Sequence, residues 1–404
     1  MPSTLQTITQ GKALPNGRGG ALGSILVYAT QHMPTGGIES HLREFCLNLA
    51  ESGAAVDLVI RNSEMLPETE VFFRSICKRV YLGKSSSSLK QLFWLFWIGL
   101  QRLTKCYDAL YTNGQGNSVN FFSWFLPRRR RWVHHHHTAG DKADQATWTS
   151  GYQQALRNAD SLVACSSRNA TDMEATLVRP VQSIPCFSRE IAIAGVSATP
   201  GHTLRFGYYG RLIPEKGIDV LCQLSEDPSM RGIEFHIWGE GQAYPSDFFG
   251  RHPRILYHGP FTSRDELQAV LASLDAYLLL STHPEGLPIA LLEVMSAGLP
   301  WVATDRGGVA DIACDPMATR VIPSTASYSE VKAAILTLAV DIQQGRVLRS
   351  AQKKLYAETY SAEVLVKRWR EILGLGPACR FTPVMPSLPP ELAQALYSHS
   401  EPTG

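Results

Sequence analysis

The segment from Ala276 to Thr304 restricts the fold more than any other stretch of the chain. Ala276-Tyr277-Leu278-Leu279-Leu280 is a short apolar run of the kind that forms a buried parallel strand. Ile289 to Ala297 has helical composition. Pro288 suits the first helical position, where its missing N–H costs nothing, and Gly298 suits the residue just past the end. Pro300 forbids continuation, and Trp301-Val302-Ala303-Thr304 reads as the next strand. The segment is therefore strand, loop, helix, strand. Its two carboxylates are oddly placed for such a unit. Glu285 falls in the loop at the strand's C-terminal end, and Glu293 falls in the second turn of a helix that is apolar on nearly every face. Ligands of open α/β sheets bind at that edge, where a helix N-terminus also offers free N–H groups to an anion. Taken singly, each Glu is explained as a solvated surface residue, but a Glu inside an apolar helix needs a partner.

At 404 residues the chain is too long for one ordinary core and suits two domains. Residues 1–22 are polar and Gly-rich and read as a disordered N-terminus. Strand Ser24–Ala29, helix Ile38–Ser52 and strand Val56–Ile60 open a Rossmann-like domain over 23–190. Further strands are expected near Ala109–Tyr111, Trp132–Val133 and Ser161–Cys165. Composition turns to Pro, Ser, Ala and Gly around 183–201, which places the linker there. A second Rossmann-like domain over 191–375 begins with Leu204–Tyr209 and ends with two long helices near 327–344 and 346–373, the last of which is able to cross back to the first domain. Residues 376–404 read as a loose Pro-rich tail. The expected fold class is α/β, two doubly wound domains facing across a cleft.

Several function classes are disfavoured at this stage. Eight cysteines without a C-x-x-C pair argue for a reduced cytoplasmic protein and against a zinc ribbon or disulfide framework. The N-terminus lacks an apolar signal core, and no run approaches the roughly 18 apolar residues that span a bilayer. Thr35-Gly36-Gly37 follows the first strand but lacks the G-x-G-x-x-G fingerprint of nicotinamide enzymes.

In the second domain, Gly210-Arg211 follows a strand directly and Glu215-Lys216-Gly217 closes the loop. Arg211 and Lys216, beside the helix start at Pro288, form a candidate diphosphate clamp. Gly239-Glu240-Gly241 leaves room for a ligand at the end of another strand, although a tight turn explains it equally well. In RRRRWVHHHHTAGD, residues 128–141, alternation along a strand lets at most two of His134–His137 converge on one side. No D-x-D or H-E-x-x-H completes a metal site. The basic bias of residues 1–195 and the aromatic runs Leu92–Ile98 and Phe121–Leu126 fit either a core helix with flanking charges or a face that docks on anionic lipid. No nucleic-acid motif accompanies the arginine run.

Together the Gly-Gly loop, Gly210-Arg211, Glu215-Lys216-Gly217, the Gly-Glu-Gly turn and the E-x7-E of EGLPIALLEVMSAGLPWVATDRGG resemble the family-4 retaining glycosyltransferases of the GT-B fold, in that family's order and over roughly residues 24–373. The resemblance implies that the first domain takes the acceptor and the second a nucleotide-sugar donor. It implies that Glu293 holds the donor ribose and Glu285 the transferred sugar. Gly286 and Leu287 would offer N–H groups beside Pro288, while Arg211 and Lys216 hold the diphosphate. Gly36, Gly37, Gly210, Gly239 and Gly241 would line the donor site. The family's first-domain histidine fits His137 best, with His135 and His136 open. The implied catalytic set is His137, Glu285, Arg211 and Lys216. No metal or other cofactor is expected, since the nucleotide sugar is a substrate. The expected acceptor is a glycan or polyprenyl-linked molecule of bacterial surface polysaccharide synthesis, reached from the cytoplasm at the inner membrane face. A nucleotide-sugar epimerase of the same fold and a noncatalytic membrane- or polyanion-binding partner are the alternatives.

Overall fold

A computed structural model describes residues 23–34, 36–84, 88–101, 105–125, 129–193, 203–261 and 263–377. The expected disordered N-terminus, most of the tail, Thr35, Arg128 and part of the linker lie outside the described residues.

Seven parallel strands form the first sheet: β1 (Ser24–Ala29), β2 (Ala55–Ile60), β3 (Arg79–Leu82), β4 (Tyr107–Asn113), β5 (Arg129–His136), β6 (Ser161–Ala164) and β7 (Val181–Ser183), in the order β3-β2-β1-β4-β5-β6-β7. Six form the second: β8 (Leu204–Tyr209), β9 (Ile233–Trp238), β10 (Ile255–Tyr257), β11 (Ala276–Leu279), β12 (Trp301–Thr304) and β13 (Thr319–Ile322), in the order β10-β9-β8-β11-β12-β13. Both orders reverse beside the first strand, which opens a crevice at the carboxyl ends of β1 and β4 and again at β8 and β11. The expected α/β class with two doubly wound sheets is what the chain adopts. Central strands are buried along nearly their whole length because helices cover both faces.

Five helices matter for the site: α1 (Gly37–Glu51), α2 (Ser88–Gln101), α3 (Ser167–Leu177), α4 (Ile289–Ala297) and α5 (Ala362–Ile372). Helix α4 and strand β12 have the bounds that Gly298 and Pro300 imply; the helix starts one residue later than Pro288, which caps it instead. The long helix expected over 346–373 is broken. Arg349–Leu355 runs into a π turn at Tyr356–Tyr360, and Ser361 restarts the chain as α5. The break lets the chain change direction. Leu365, Val366, Trp369 and Ile372 of α5 then join the core built on Ile25, Val27 and Phe45 of the first sheet.

The basic and aromatic stretches separate. Arg131, near the start of β5, donates 2.8 Å to the Ile372 carbonyl and so satisfies the C-terminal end of α5. Lys105 pairs with the buried Asp57 at 3.0 Å. Helix α2 buries Leu95 and Ile98, yet Leu89, Phe93, Phe96, Trp97 and Leu100 form an exposed stripe at helical spacing. Among the described residues, no helix is long and apolar enough to cross a membrane.

Candidate active site between the two sheets

Strands β8 and β11 flank the crevice of the second sheet, and the loops that leave them carry the predicted cations and carboxylates. Gly210 has φ +145, and its N–H donates to the Trp238 carbonyl at 3.2 Å. A Cβ on Gly239 would stand 1.9 Å from the Gly210 carbonyl oxygen, and one on Gly241 would stand 1.9 Å from that of Leu212. The two glycine turns are thus packed backbone on backbone, so the close approach they permit is first of all to each other. Arg211 follows on the exposed side of this loop. Lys216 ends a single helical turn at Pro214–Lys216, and Gly217, at φ +75, lies so near Leu280 that a Cβ would meet its carbonyl at 2.3 Å.

That approach brings Lys216 Nζ onto Oε1 of Glu285. Ser281 Oγ donates to the same oxygen at 2.6 Å, and His283 Nε2 stands 3.9 Å away. Burial alone would raise the Glu285 carboxyl, but the Lys216 charge and the hydrogen bonds from Lys216 and Ser281 outweigh it and hold the group below the usual carboxylate range.

Glu293 is 2% exposed, inside α4. Its partner is a residue that the sequence reading missed. Arg189 Nε, from the segment joining the two sheets, donates to Oε1 at 2.6 Å, and the Tyr209 hydroxyl donates to Oε2 at 2.9 Å. Burial disfavours the Arg189 charge, yet the Glu293 carboxylate wins and holds the guanidinium above its ordinary value. A carboxylate in an apolar helix predicts some partner, but linker composition gave no sign that an arginine there would supply it.

The opposite wall comes from the first sheet. Gly36 caps α1 with extended backbone, and a Cβ on Gly37 would stand 3.7 Å from Ile289 Cδ1, so the N-termini of α1 and α4 face each other. Glu39 of α1 accepts from the Met33 amide at 3.1 Å. Burial raises the Glu39 carboxyl, partly countered by that bond and by the Arg211 charge. Gly286 is pressed against the first domain: a Cβ would lie 1.9 Å from the His137 carbonyl oxygen. Asn169 Nδ2 of α3 bridges the walls, reaching the carbonyls of Gly286 at 3.1 Å and Thr138 at 3.3 Å. Asp311 Oδ2 accepts from the Ser167 amide at 2.6 Å and so caps α3 from the second domain. Leu287 is buried beside Gly308, and Pro288 supplies no side-chain cap, which leaves the first amides of α4 without a side-chain partner.

The four histidines divide by strand alternation. His134 and His136 point one way, each 2.8 Å from the Tyr152 hydroxyl, and His136 also reaches Asp144 at 2.8 Å. His135 and His137 point the other way, towards Cys165 and Cys186. His137 therefore turns its Nδ1 to two sulfurs, and its Nε2 is buried without a hydrogen-bond partner. A hydrogen bond with Cys165 lowers the Cys186 thiol to about 6, against burial and with help from His137, while burial keeps Cys165 well above its ordinary value.

Comparison with known proteins agrees with this architecture. Residues 35–187 match the model of Glycosyltransferase Family 4, and residues 203–341 match that of Glycosyl transferases group 1. The chain is 26% identical over 188 residues to the putative colanic acid biosynthesis glycosyltransferase WcaL of Salmonella typhimurium, covering 41% of this chain and 44% of that one. It is 26% identical over 195 residues to the 2-deoxystreptamine glucosyltransferase of Streptomyces kanamyceticus, covering 42% and 49%. The matched stretch thus spans about half the length of these curated relatives. Among solved structures, Anabaena HepE in complex with UDP and glucose superimposes with a TM-score of 0.67 at 16% identity, over 87% of this chain and 99% of that one. The lipopolysaccharide outer core galactosyltransferase WaaB does so at 0.64 and 16%, over 87% and 99%. With both sheets, their order and their facing loops accounted for, the chain belongs to the GT-B glycosyltransferases, its first domain to Glycosyltransferase Family 4 and its second to Glycosyl transferases group 1.

Proposed function

We propose that this protein moves a sugar from a UDP- or GDP-linked donor to a glycan or polyprenyl-linked acceptor in the synthesis of a bacterial surface polysaccharide. The observation that carries the proposal is the pair of buried carboxylates, Glu285 and Glu293, held by Lys216 and by Arg189 with Tyr209 at the switch point of the second sheet. The UDP named in the HepE complex, the colanic acid biosynthesis named for WcaL and the lipopolysaccharide outer core named for WaaB support the choice of donor and pathway.

In this reading Glu293 accepts hydrogen bonds from the ribose hydroxyls, with Arg189 holding the carboxylate in place. Glu285 contacts hydroxyls of the transferred sugar. The leaving group is a nucleoside diphosphate, so the reaction needs positive charge at its β-phosphate. Lys216, Arg211 and the amides at the start of α4 provide it, without a divalent cation at the phosphates. His137, across the loop from Gly286, borders the sugar from the acceptor side. Transfer proceeds with retention at the anomeric carbon, as the family resemblance implies. The test supplies each nucleotide sugar with lipid-linked acceptors in EDTA and follows nucleoside diphosphate release and product configuration. Release that depends on acceptor, with retained configuration, is expected. Interconversion of the free donor sugar without acceptor would instead identify an epimerase.

The exposed stripe of α2 meets the membrane that carries the acceptor, with the aromatics at headgroup level and Lys90 exposed on the same helix. Replacing Phe93 and Trp97 by Ser removes two side chains worth about 1.5–3 kcal/mol each on burial. Co-sedimentation with anionic vesicles should fall by well over tenfold; unchanged partitioning would remove α2 from the membrane face.

A further inference from the structure

Two histidines and two cysteines from three separate stretches of chain meet in one buried knot. His135 lies within β5 and His137 just past its end, Cys165 follows β6, and Cys186 lies beyond β7. Their ligand atoms all lie within 4.8 Å of one another. Cys165 Sγ is 3.3 Å from His135 Nε2, 3.7 Å from His137 Nδ1 and 3.4 Å from Cys186 Sγ, which is itself 3.5 Å from His137 Nδ1. We propose that these four side chains bind one divalent transition-metal ion, zinc by preference, through His135 Nε2, His137 Nδ1 and the two sulfurs.

The spacing fits a tetrahedron. With zinc–sulfur bonds of about 2.3 Å and zinc–nitrogen bonds of about 2.0–2.1 Å, ligand atoms around one zinc stand about 3.3–3.8 Å apart. Four of the six separations, at 3.3 to 3.7 Å, fall in that band, and the two from His135 Nε2 to His137 Nδ1 and to Cys186 Sγ lie within 4.8 Å, a small closure away. Two thiolates and two imidazoles make a borderline-soft donor set that suits zinc over calcium or magnesium. Cys165, Cys186 and His135 are almost wholly buried and His137 is partly buried, and all four positions are filled by protein side chains, as in a structural site rather than one with an open position for water.

Outer partners are also in place. Tyr111 Oη stands 2.9 Å from His135 Nδ1 and 3.0 Å from His41 Nε2, and the Phe187 amide donates to His41 Nδ1 at 3.0 Å. The Phe187 bond requires His41 Nδ1 to be bare, so the proton of neutral His41 sits on Nε2 and points to Tyr111. Tyr111 Oη then accepts from His41, and a metal on His135 Nε2 requires the other tautomer of that ring, with Nδ1–H donating to the same oxygen. The Cys165 thiol has the His136 carbonyl 3.3 Å away as acceptor, and metal binding releases that proton.

The ion would tie the end of β5 to the segment that leads into Arg189. Because Gly286 rests on the His137 carbonyl, the metal also braces the wall that supports the Glu285 loop. Its role is to hold the first-domain wall; it shares His137 with the reading above, through Nδ1, but metal content is read without any activity, so the two readings fail separately.

The experiment uses the full chain, freed of any affinity tag and purified under reducing conditions. Elemental analysis should find about one zinc per chain. Cobalt exchanged into the protein should give thiolate charge-transfer bands and the strong visible bands of tetrahedral Co2+. Cys165→Ser and Cys186→Ser should each lose the metal and those bands, while Cys314→Ser, at an exposed cysteine outside the cluster, keeps both. If the Ser variants do not fold, the cobalt spectrum of the wild-type chain decides alone. A metal-free protein with no thiolate–cobalt bands, or zinc retained in both Ser variants, would each overturn the proposal.

Discussion

Glu293→Ala should lower affinity for the donor nucleotide by roughly 100-fold, which is about the loss of two hydrogen bonds to a charged acceptor at 1.5 kcal/mol each. The same change acts on stability, because it leaves the Arg189 guanidinium buried without its carboxylate. Breaking a buried pair in this way costs about 3–5 kcal/mol and should lower the melting midpoint by roughly 6–20 °C for a domain of this size. A fold with the usual margin survives that loss. The two effects separate in the double variant. Removing Arg189 together with Glu293 eliminates the orphan charge, so stability should partly return, while nucleotide affinity should not. Calorimetric titration and thermal melts of the three proteins read both quantities. If affinity returned together with stability, Glu293 would be an interdomain tether rather than a ribose ligand.

Lys216→Ala should reduce turnover by roughly 100- to 1000-fold, the scale on which loss of one transition-state donor is felt. Nucleoside binding should change far less, because Lys216 is assigned to the diphosphate. Equal losses in turnover and in nucleoside affinity would contradict that assignment. The variant also has a signature in pH. In the wild type Glu285 is held below its unfolded value, so its contribution to stability is present above the ordinary carboxylate pKa of about 4.3 and is lost as pH falls through the lowered folded value. Without Lys216 burial prevails and the carboxyl rises above its unfolded value, so the sign reverses: the buried charge costs stability near neutral pH, and that cost is relieved as pH falls through the raised folded value. Melting curves across the acid range check this directly.

Legibility in the sequence followed how locally each feature is determined. Helix α4 and strand β12 were readable because Pro288, Gly298 and Pro300 punctuate them and because their residues are apolar throughout. Strands β3 and β7 escaped notice: one is a half-exposed edge and the other only three residues long, so neither shows a clear apolar run. Strand β5 was read only at Trp132–Val133, since a run of arginines and histidines does not look like a strand. Its alternation was nevertheless enough to predict that two histidines share a side. Their sulfur partners were not predictable, because Cys165 and Cys186 are brought there by pairing of β5 with β6 and β6 with β7. Arg189 escaped for the same reason. It lies in a segment whose composition announces a linker, and only the packing of one sheet against the other aims it at Glu293.

The central claim, that the second-domain crevice is a nucleotide site built on Glu293, is tested most directly by thermal unfolding of the wild type and Glu293→Ala with UDP, GDP and ADP up to millimolar concentration. At 100 times its dissociation constant a ligand adds about 2.7 kcal/mol, enough to move a domain's midpoint by several degrees. A rise with one base in the wild type, absent in Glu293→Ala at the same concentration, is the predicted result. No rise with any nucleotide, or an equal rise in both proteins, would contradict it.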